Sequence, residues 1–436
     1  MGRESPDRRT GEIAVNRRFL GMIVALTSTA LTACGGGSSG SSGPNPAAQP
    51  PGVVAVGGTA PSPTPTPAHG ATPAPTATPT HGATPAPTAS PTHGATPAPT
   101  PTATPGPTDT PPPTITRLGS YHVAPSKIFV AGISSGGFFA VQMHFAHSAV
   151  FKGAAIYAGG VDHCAQDSVE LALAECGGET VNGQALYVST LSQSESYVEQ
   201  QSNAGTIDST SHMAGQPVYL WSGTHDEVVN PKEMRDLTTE YEQFGAHVMF
   251  QNAFPANHGW ESPDGEVPCG TAASPYMIAC EYEGKPYDSE AAWLKVLLGS
   301  LQPRNNGPLQ GSLMRFDQTE FGAAASNSMD TSGTVFVPKA CAAGAQCGFI
   351  LALHGCLQTH AVIGDKFVTE AGLDEWADTN DLIVLYPYAV AAPGPTPYNP
   401  NGCWDWWGYD DPNYALKSGT QMTIVYKMVQ RVTGAP

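Results

Sequence analysis

Three polar residues, each set among glycines, carry the chemistry this chain offers. Ser134 stands in Gly132-Ile133-Ser134-Ser135-Gly136, Asp226 in Gly223-Thr224-His225-Asp226, and His258 in Asn257-His258-Gly259. A serine hydroxyl is a weak nucleophile until a base takes its proton, and that base needs an acid to hold its ring in one tautomer. Glycines two before and two after the serine suit a turn whose backbone is crowded. The order Ser, Asp, His therefore predicts an acyl-transfer triad of Ser134, Asp226 and His258. Asp365, Asp374 and Asp405 compete for the acid role and His225 for the base. A plain turn, a helix cap and a solvated loop histidine are the alternatives at the three positions.

Acyl transfer also needs backbone donors for the oxyanion. One is expected at the N–H of Ser135, next after the nucleophile. The other is expected in Leu353-His354-Gly355-Cys356, at the N–H of Cys356, with His354 bracing the loop. Further on, Gly402–Tyr409 gathers Trp404, Trp406, Trp407 and Tyr409. Core packing would account for such a cluster, but flanking Pro, Gly and Asn favour a loop that lines a substrate wall. Trp404 or Trp406 could then offer an indole N–H to an ester carbonyl.

The elements that must position these residues alternate. Apolar runs at 127–133, 217–222, 247–251, 349–353 and 382–386 read as strands. Helices are expected over 137–148, from Pro231 onward, around 361–379 and over 419–432. Strands alternating with helices give an α/β fold with a mainly parallel sheet covered on both faces. Each candidate residue falls just past a strand, where open α/β sheets place their sites.

Together, Gly132–Gly137, Gly223–Asp226, His258-Gly259, His354–Gln358 and Gly402–Trp406 resemble the poly(3-hydroxybutyrate) depolymerases. The resemblance covers 118–436 and is to the circularly permuted, single-domain type of the α/β-hydrolase superfamily. In most α/β-hydrolases the oxyanion loop precedes the nucleophile; here it follows the whole triad. The resemblance implies a Ser134–His258–Asp226 triad, an oxyanion hole at Ser135 and Cys356, and tryptophans along a polymer crevice. It further implies an ester-hydrolysing activity on polyhydroxyalkanoates that uses no cofactor or metal. A polysaccharide acyl or feruloyl esterase and a surface-display lipoprotein with a spent hydrolase domain are the alternative functions. Permutation predicts that Pro436 and the domain start near Val123 lie close together.

Composition bounds the rest. Arg17 and Arg18 precede an apolar run ending in Leu31-Thr32-Ala33-Cys34, which reads as a lipoprotein signal over 1–33 with Cys34 as the lipidated residue. Residues 34–115 are Gly/Ser- and then Pro/Thr-rich, with His-Gly-Ala-Thr-Pro recurring at His69, His81 and His93; this predicts a disordered, extended linker before a domain over 116–436. Removing a signal segment with five Arg and three acids takes the formal charge from -18 to near -20. That sign disfavours nucleic acid and favours a neutral polyester or oligomeric ester. Eight further cysteines in an exported chain suggest disulfides, and neighbours in order suggest Cys164–Cys176, Cys269–Cys280, Cys341–Cys347 and Cys356–Cys403. The expected protein is a monomer, exported, either anchored at the cell surface or outer membrane by lipid or extracellular, with no other membrane contact.

Overall fold

The computed structural model describes residues 114–177, 180–181, 184–185, 189–394 and 397–436. The expected signal segment, the expected lipidation at Cys34 and the expected linker up to residue 113 lie outside the described residues.

One nine-stranded sheet organises the chain. In chain order its strands are β1 Ile115–Thr116, β2 Val123–Ile133, β3 Ala154–Tyr157, β4 Pro217–Trp221, β5 His247–Gln251, β6 Ser312–Asp317, β7 Ser332–Val337, β8 Cys347–Leu353 and β9 Leu382–Tyr386. Across the sheet they run β1-β6-β7-β9-β8-β2-β3-β4-β5. All neighbours are parallel except β7, which is antiparallel to both β6 and β9. The principal helices are α1 Ser135–Ala146, α2 Leu191–Ala204, α3 Pro231–Gln243, α4 Ser289–Leu298, α5 Leu373–Asn380 and α6 Thr420–Thr433.

Strand periodicity explains why both faces are covered. Successive side chains point to opposite faces, and β2 divides accordingly. Ile128 and Val130 join a core cluster with Phe138 and Phe139 of α1, Met234 and Leu237 of α3, and Val425 and Val429 of α6. Phe129, Ala131 and Ile133 join a second cluster with Trp293 and Leu294 of α4 and Leu373, Trp376 and Ala377 of α5. The expected α/β architecture with helices on both faces is the observed one.

Several elements escaped the sequence reading for physical reasons. In α2 only Ser194 and Val198 are buried, so it lacks an apolar stripe. Two of the four residues of β3 are alanine, and β7 begins Ser-Gly-Thr, so neither shows a strong strand signal. The stretch 361–379 forms three short helices, broken at Gly364 and Gly372, both at positive φ. Ile115, placed by composition in the linker, pairs with Arg315 at the sheet edge.

The chain ends meet as the permutation requires. The Tyr121 N–H donates to the Val432 carbonyl at the end of α6 (3.0 Å), and Arg431 Nη1 donates to the Leu118 carbonyl (3.4 Å). Thus α6 leads to the start of β2 in space though not in sequence. A chain opened at the exposed Gly307, with Pro436 joined to Thr116 by a short Gly/Ser segment, restores the common strand order. It is expected to fold with a Tm within about 8 °C of the parent, equivalent to ~2 kcal/mol. Loss of a cooperative thermal transition would contradict the reading.

Burial also sets a pH dependence. Asp162, 1% exposed, has both carboxylate oxygens without a partner among the described residues, and burial pushes it up to about 8. Burial likewise raises Glu261 to about 8, although the Cys280 and Ser289 amides donate to it. These acids hold protons in the native state that the unfolded chain has released, so stability falls as pH rises from about 4 toward 8, by up to ~1.4 kcal/mol per pH unit for each proton. Burial pushes His144 and His354 down to about 4, so they are neutral in the native state near pH 7 and above; the unfolded chain is nearly so too, and they drop out there. The Tm measured at pH 7 should therefore exceed that at pH 8.5 in the same salt, and the gap should narrow in Asp162→Asn. Equal Tm values at the two pH values would refute the assignment.

Candidate active site

The site is built where strand ends align. Ile133 of β2 is level with Tyr157, Tyr157 with Trp221, and Trp221 with Gln251, while Leu353 of β8 pairs with Gly132. The loops bearing Ser134, Asp226, His258 and His354 therefore leave from one edge of the sheet. Ser134 turns there with φ 56° and ψ −126°, its N–H donating to the Tyr157 carbonyl (2.9 Å) and its carbonyl accepting from Phe138 (2.9 Å). The flanking glycines follow from crowding. A Cβ on Gly132 would stand 2.1 Å from the Gly136 carbonyl oxygen, and one on Gly136 would stand 2.3 Å from that of His354. Close packing of β2, α1 and β8 thus demands both glycines.

Acid and base face each other in a buried pair. His258 Nδ1 lies 2.9 Å from Asp226 Oδ2, with the two residues 4% and 8% exposed. Asp226 Oδ1 accepts the amides of Val228 (2.8 Å) and Val229 (2.9 Å), which aims the other oxygen at the ring. Asn257 Oδ1 accepts the amides of Glu227 (3.1 Å) and His258 (2.8 Å), tying the two loops together. That role of Asn257 was missed; its place before His-Gly was the only signal. The competitors stand elsewhere. His225 is exposed, Asp365 reaches toward Arg315 and His360, and Asp374 accepts from Tyr386 Oη (2.8 Å). Ser134 Oγ carries no hydrogen bond among the described residues; such bonds commonly close only with substrate in place.

His354 is fully buried, its Nδ1–H donating to the Gly355 carbonyl (2.8 Å) and its Nε2 accepting from the Ala389 amide (3.1 Å). Both ring nitrogens are thus engaged, tying the ring to Gly355 and Ala389, and burial holds its pKa near 4. Gln358, whose contribution the motif did not reveal, clamps the same loop: its Oε1 accepts from Gly355 (2.7 Å) and its Nε2 donates to the Pro275 carbonyl (2.8 Å). All four suggested disulfides are formed. Cys356–Cys403 joins the His354 loop to the tryptophan segment across 47 residues. The Trp404 amide then donates to Ser135 Oγ (3.3 Å). Here the wall expectation needs correction at one position: Trp404 is fully buried and stacks on Phe139 at 5.2 Å, supporting the segment from behind. Trp406 and Trp407 are half-buried; Trp406 stacks on Phe138 at 4.3 Å and meets Trp407 edge-on at 5.3 Å.

Comparison with known proteins agrees with this geometry. Residues 118–269 match the prolyl oligopeptidase family. The chain is 39% identical over 332 residues to a poly(3-hydroxybutyrate) depolymerase of Delftia acidovorans, covering 72% of this chain and 63% of that relative's length. It is 34% identical over 331 residues to a polyhydroxybutyrate depolymerase of Talaromyces funiculosus, covering 73% of this chain and 92% of that one. A solved PHB depolymerase complexed with an R3HB trimer superposes with a TM-score of 0.65 at 32% identity, over 73% of this chain and 99% of that one. The crystal structure of PHB depolymerase from Penicillium funiculosum gives 0.64 at 33% identity, with the same coverage. This chain is a serine ester hydrolase that belongs to the poly(3-hydroxybutyrate) depolymerase family.

Proposed function

We propose that the protein hydrolyses the ester bonds of poly(3-hydroxybutyrate), or of related polyhydroxyalkanoates and their oligomers, through an acyl-enzyme. The observation that carries this reading is the buried 2.9 Å Asp226–His258 pair on the sheet edge that bears the Ser134 turn. Ser134 Oγ attacks the ester carbonyl while His258 Nε2 takes its proton, and Asp226 stabilises the resulting imidazolium. The amides of Ser135 and Cys356 receive the oxyanion. His258 returns the proton to the leaving alkoxide, which departs as the alcohol end of the polymer. Water then cleaves the acyl-serine by the same steps, leaving a carboxylic acid and free Ser134. Trp406 and Trp407, the half-buried indoles of the segment, line the chain-binding wall.

Export is part of the same reading, supported by the four disulfides. Lipid attachment at Cys34 rests on Leu31-Thr32-Ala33-Cys34 alone. An uncharged ester substrate agrees with the acidic balance of the chain, and monomeric action completes the reading.

The test combines labelling with product analysis. Wild type should react with a fluorophosphonate and release 3-hydroxybutyrate or its oligomers from a polymer emulsion. Ser134→Ala should lose both, and Asp226→Asn should lower kcat about 10⁴-fold. Absence of labelling in folded wild type would sink the mechanism. Release of ferulate or acetate from polysaccharide esters, with none from the polyester, would sink the substrate assignment alone.

A further inference from the structure

Asp405 was a competitor for the triad acid, and the structure gives it another occupation. Its side chain is buried, the residue being 1% exposed, and its carboxylate accepts four backbone amides. Oδ1 receives those of Gly408 (2.8 Å) and Tyr409 (3.1 Å), and Oδ2 those of Asp410 (3.1 Å) and Asp411 (3.1 Å). Residues 406–411 are therefore wound around one carboxylate, with Gly408 at φ 81° making the bend. Four converging N–H groups form a concave nest for an anion, and here the anion is supplied from within the chain. The nest is fixed on its outside as well. The Asp405 amide donates to Gln421 Oε1 of α6 (2.9 Å), and Tyr409 Oη donates to the Cys403 carbonyl (2.8 Å).

The location gives this motif a functional meaning. One step before it, Trp404 meets Ser135 Oγ and Cys403 is bonded to Cys356. Immediately after it come Trp406, held against Phe138 of α1, and Trp407. The Asp405 carboxylate thus sits at the hinge between the part of the segment fixed to the oxyanion loop and the part that presents indoles. Nothing in it touches the reacting atoms.

We propose that Asp405 is a positioning residue that sets the grip on the ester's chain by winding 406–411 around its carboxylate and so fixing Trp406 and Trp407. This rests on the polyester-esterase reading given above. Asp405→Asn keeps shape but turns an NH₂ toward two amide donors, and Asp405→Ala leaves all four amides without their acceptor.

The experiment compares wild type with both variants, each first shown to unfold cooperatively. Substrates are a soluble 3-hydroxybutyrate trimer and p-nitrophenyl acetate, an ester that carries no polyester chain. Positioning predicts that KM for the trimer rises at least about tenfold while its kcat falls less than about threefold, with p-nitrophenyl acetate changed less than about threefold in both constants. Aspartate restored by reversion should return the trimer KM. Equal losses on both substrates, or no loss on either, overturn the proposal. If wild type cleaves p-nitrophenyl acetate but not the trimer, the polyester reading fails by itself. The role of Asp405 is then decided by p-nitrophenyl octanoate in place of the trimer, where a selective rise in KM supports it and equal or absent losses overturn it.

Discussion

The site depends on how closely three pieces of backbone can approach. Strand β2, helix α1 and the end of β8 meet around Gly132 and Gly136, where no Cβ could stand. That contact holds Ser134 at positive φ, out on the sheet edge and away from the regular dihedrals of strand or helix. A residue forced into such a conformation persists only where the surroundings over-determine it. Here they consist of the buried stretch Ile128–Ile133 of β2, an α1 buried at every position, and the Leu353–Gly132 register. The candidate nucleophile is thus placed by packing, before any partner acts on it.

Around that fixed point the remaining groups are held by hydrogen bonds of short reach. The Asp226 loop is shaped by its own amides and Asn257, the loop after β8 by His354 and Gln358, and the tryptophan segment by Asp405. The polar interior of the site is therefore a set of separate clamps, each closing one loop. Such clamps are specific because a buried donor or acceptor left unmade costs on the order of 1–3 kcal/mol. The Cys356–Cys403 bond is the covalent link between two of them.

How much of this was legible beforehand follows from the nature of each signal. Strands 127–133, 349–353 and 382–386 are continuous apolar runs in the sheet centre, and burial on both faces makes such runs visible. The motifs around Ser134, Asp226 and His258 were legible because glycine-flanked polar residues after strands have few other uses. Edge strand β1, its neighbour β6 and the polar helix α2 were not, since half-exposed elements carry mixed composition. Side-chain clamps were hidden for a different reason. Asn257, Gln358 and Asp405 act through backbone amides, and any residue supplies those. Sequence can nominate such an acceptor but cannot say which N–H groups the fold will turn toward it. Trp404 shows the converse, since aromatic density alone does not separate an indole on a wall from one behind it.

The rearranged order of the strands has a geometric consequence for how the domain is held. The first paired residues, Ile115 and Thr116, lie in edge strand β1, five strand spacings from β2, or about 24 Å at ~4.8 Å each. The end of α6 sits by Tyr121, ahead of the start of β2, and that strand then runs 11 residues, about 36 Å at ~3.3 Å each, before reaching Ser134. Helix α6 therefore ends at the opposite end of β2 from Ser134, so the two pieces of the permuted fold meet on the side of the sheet away from the site.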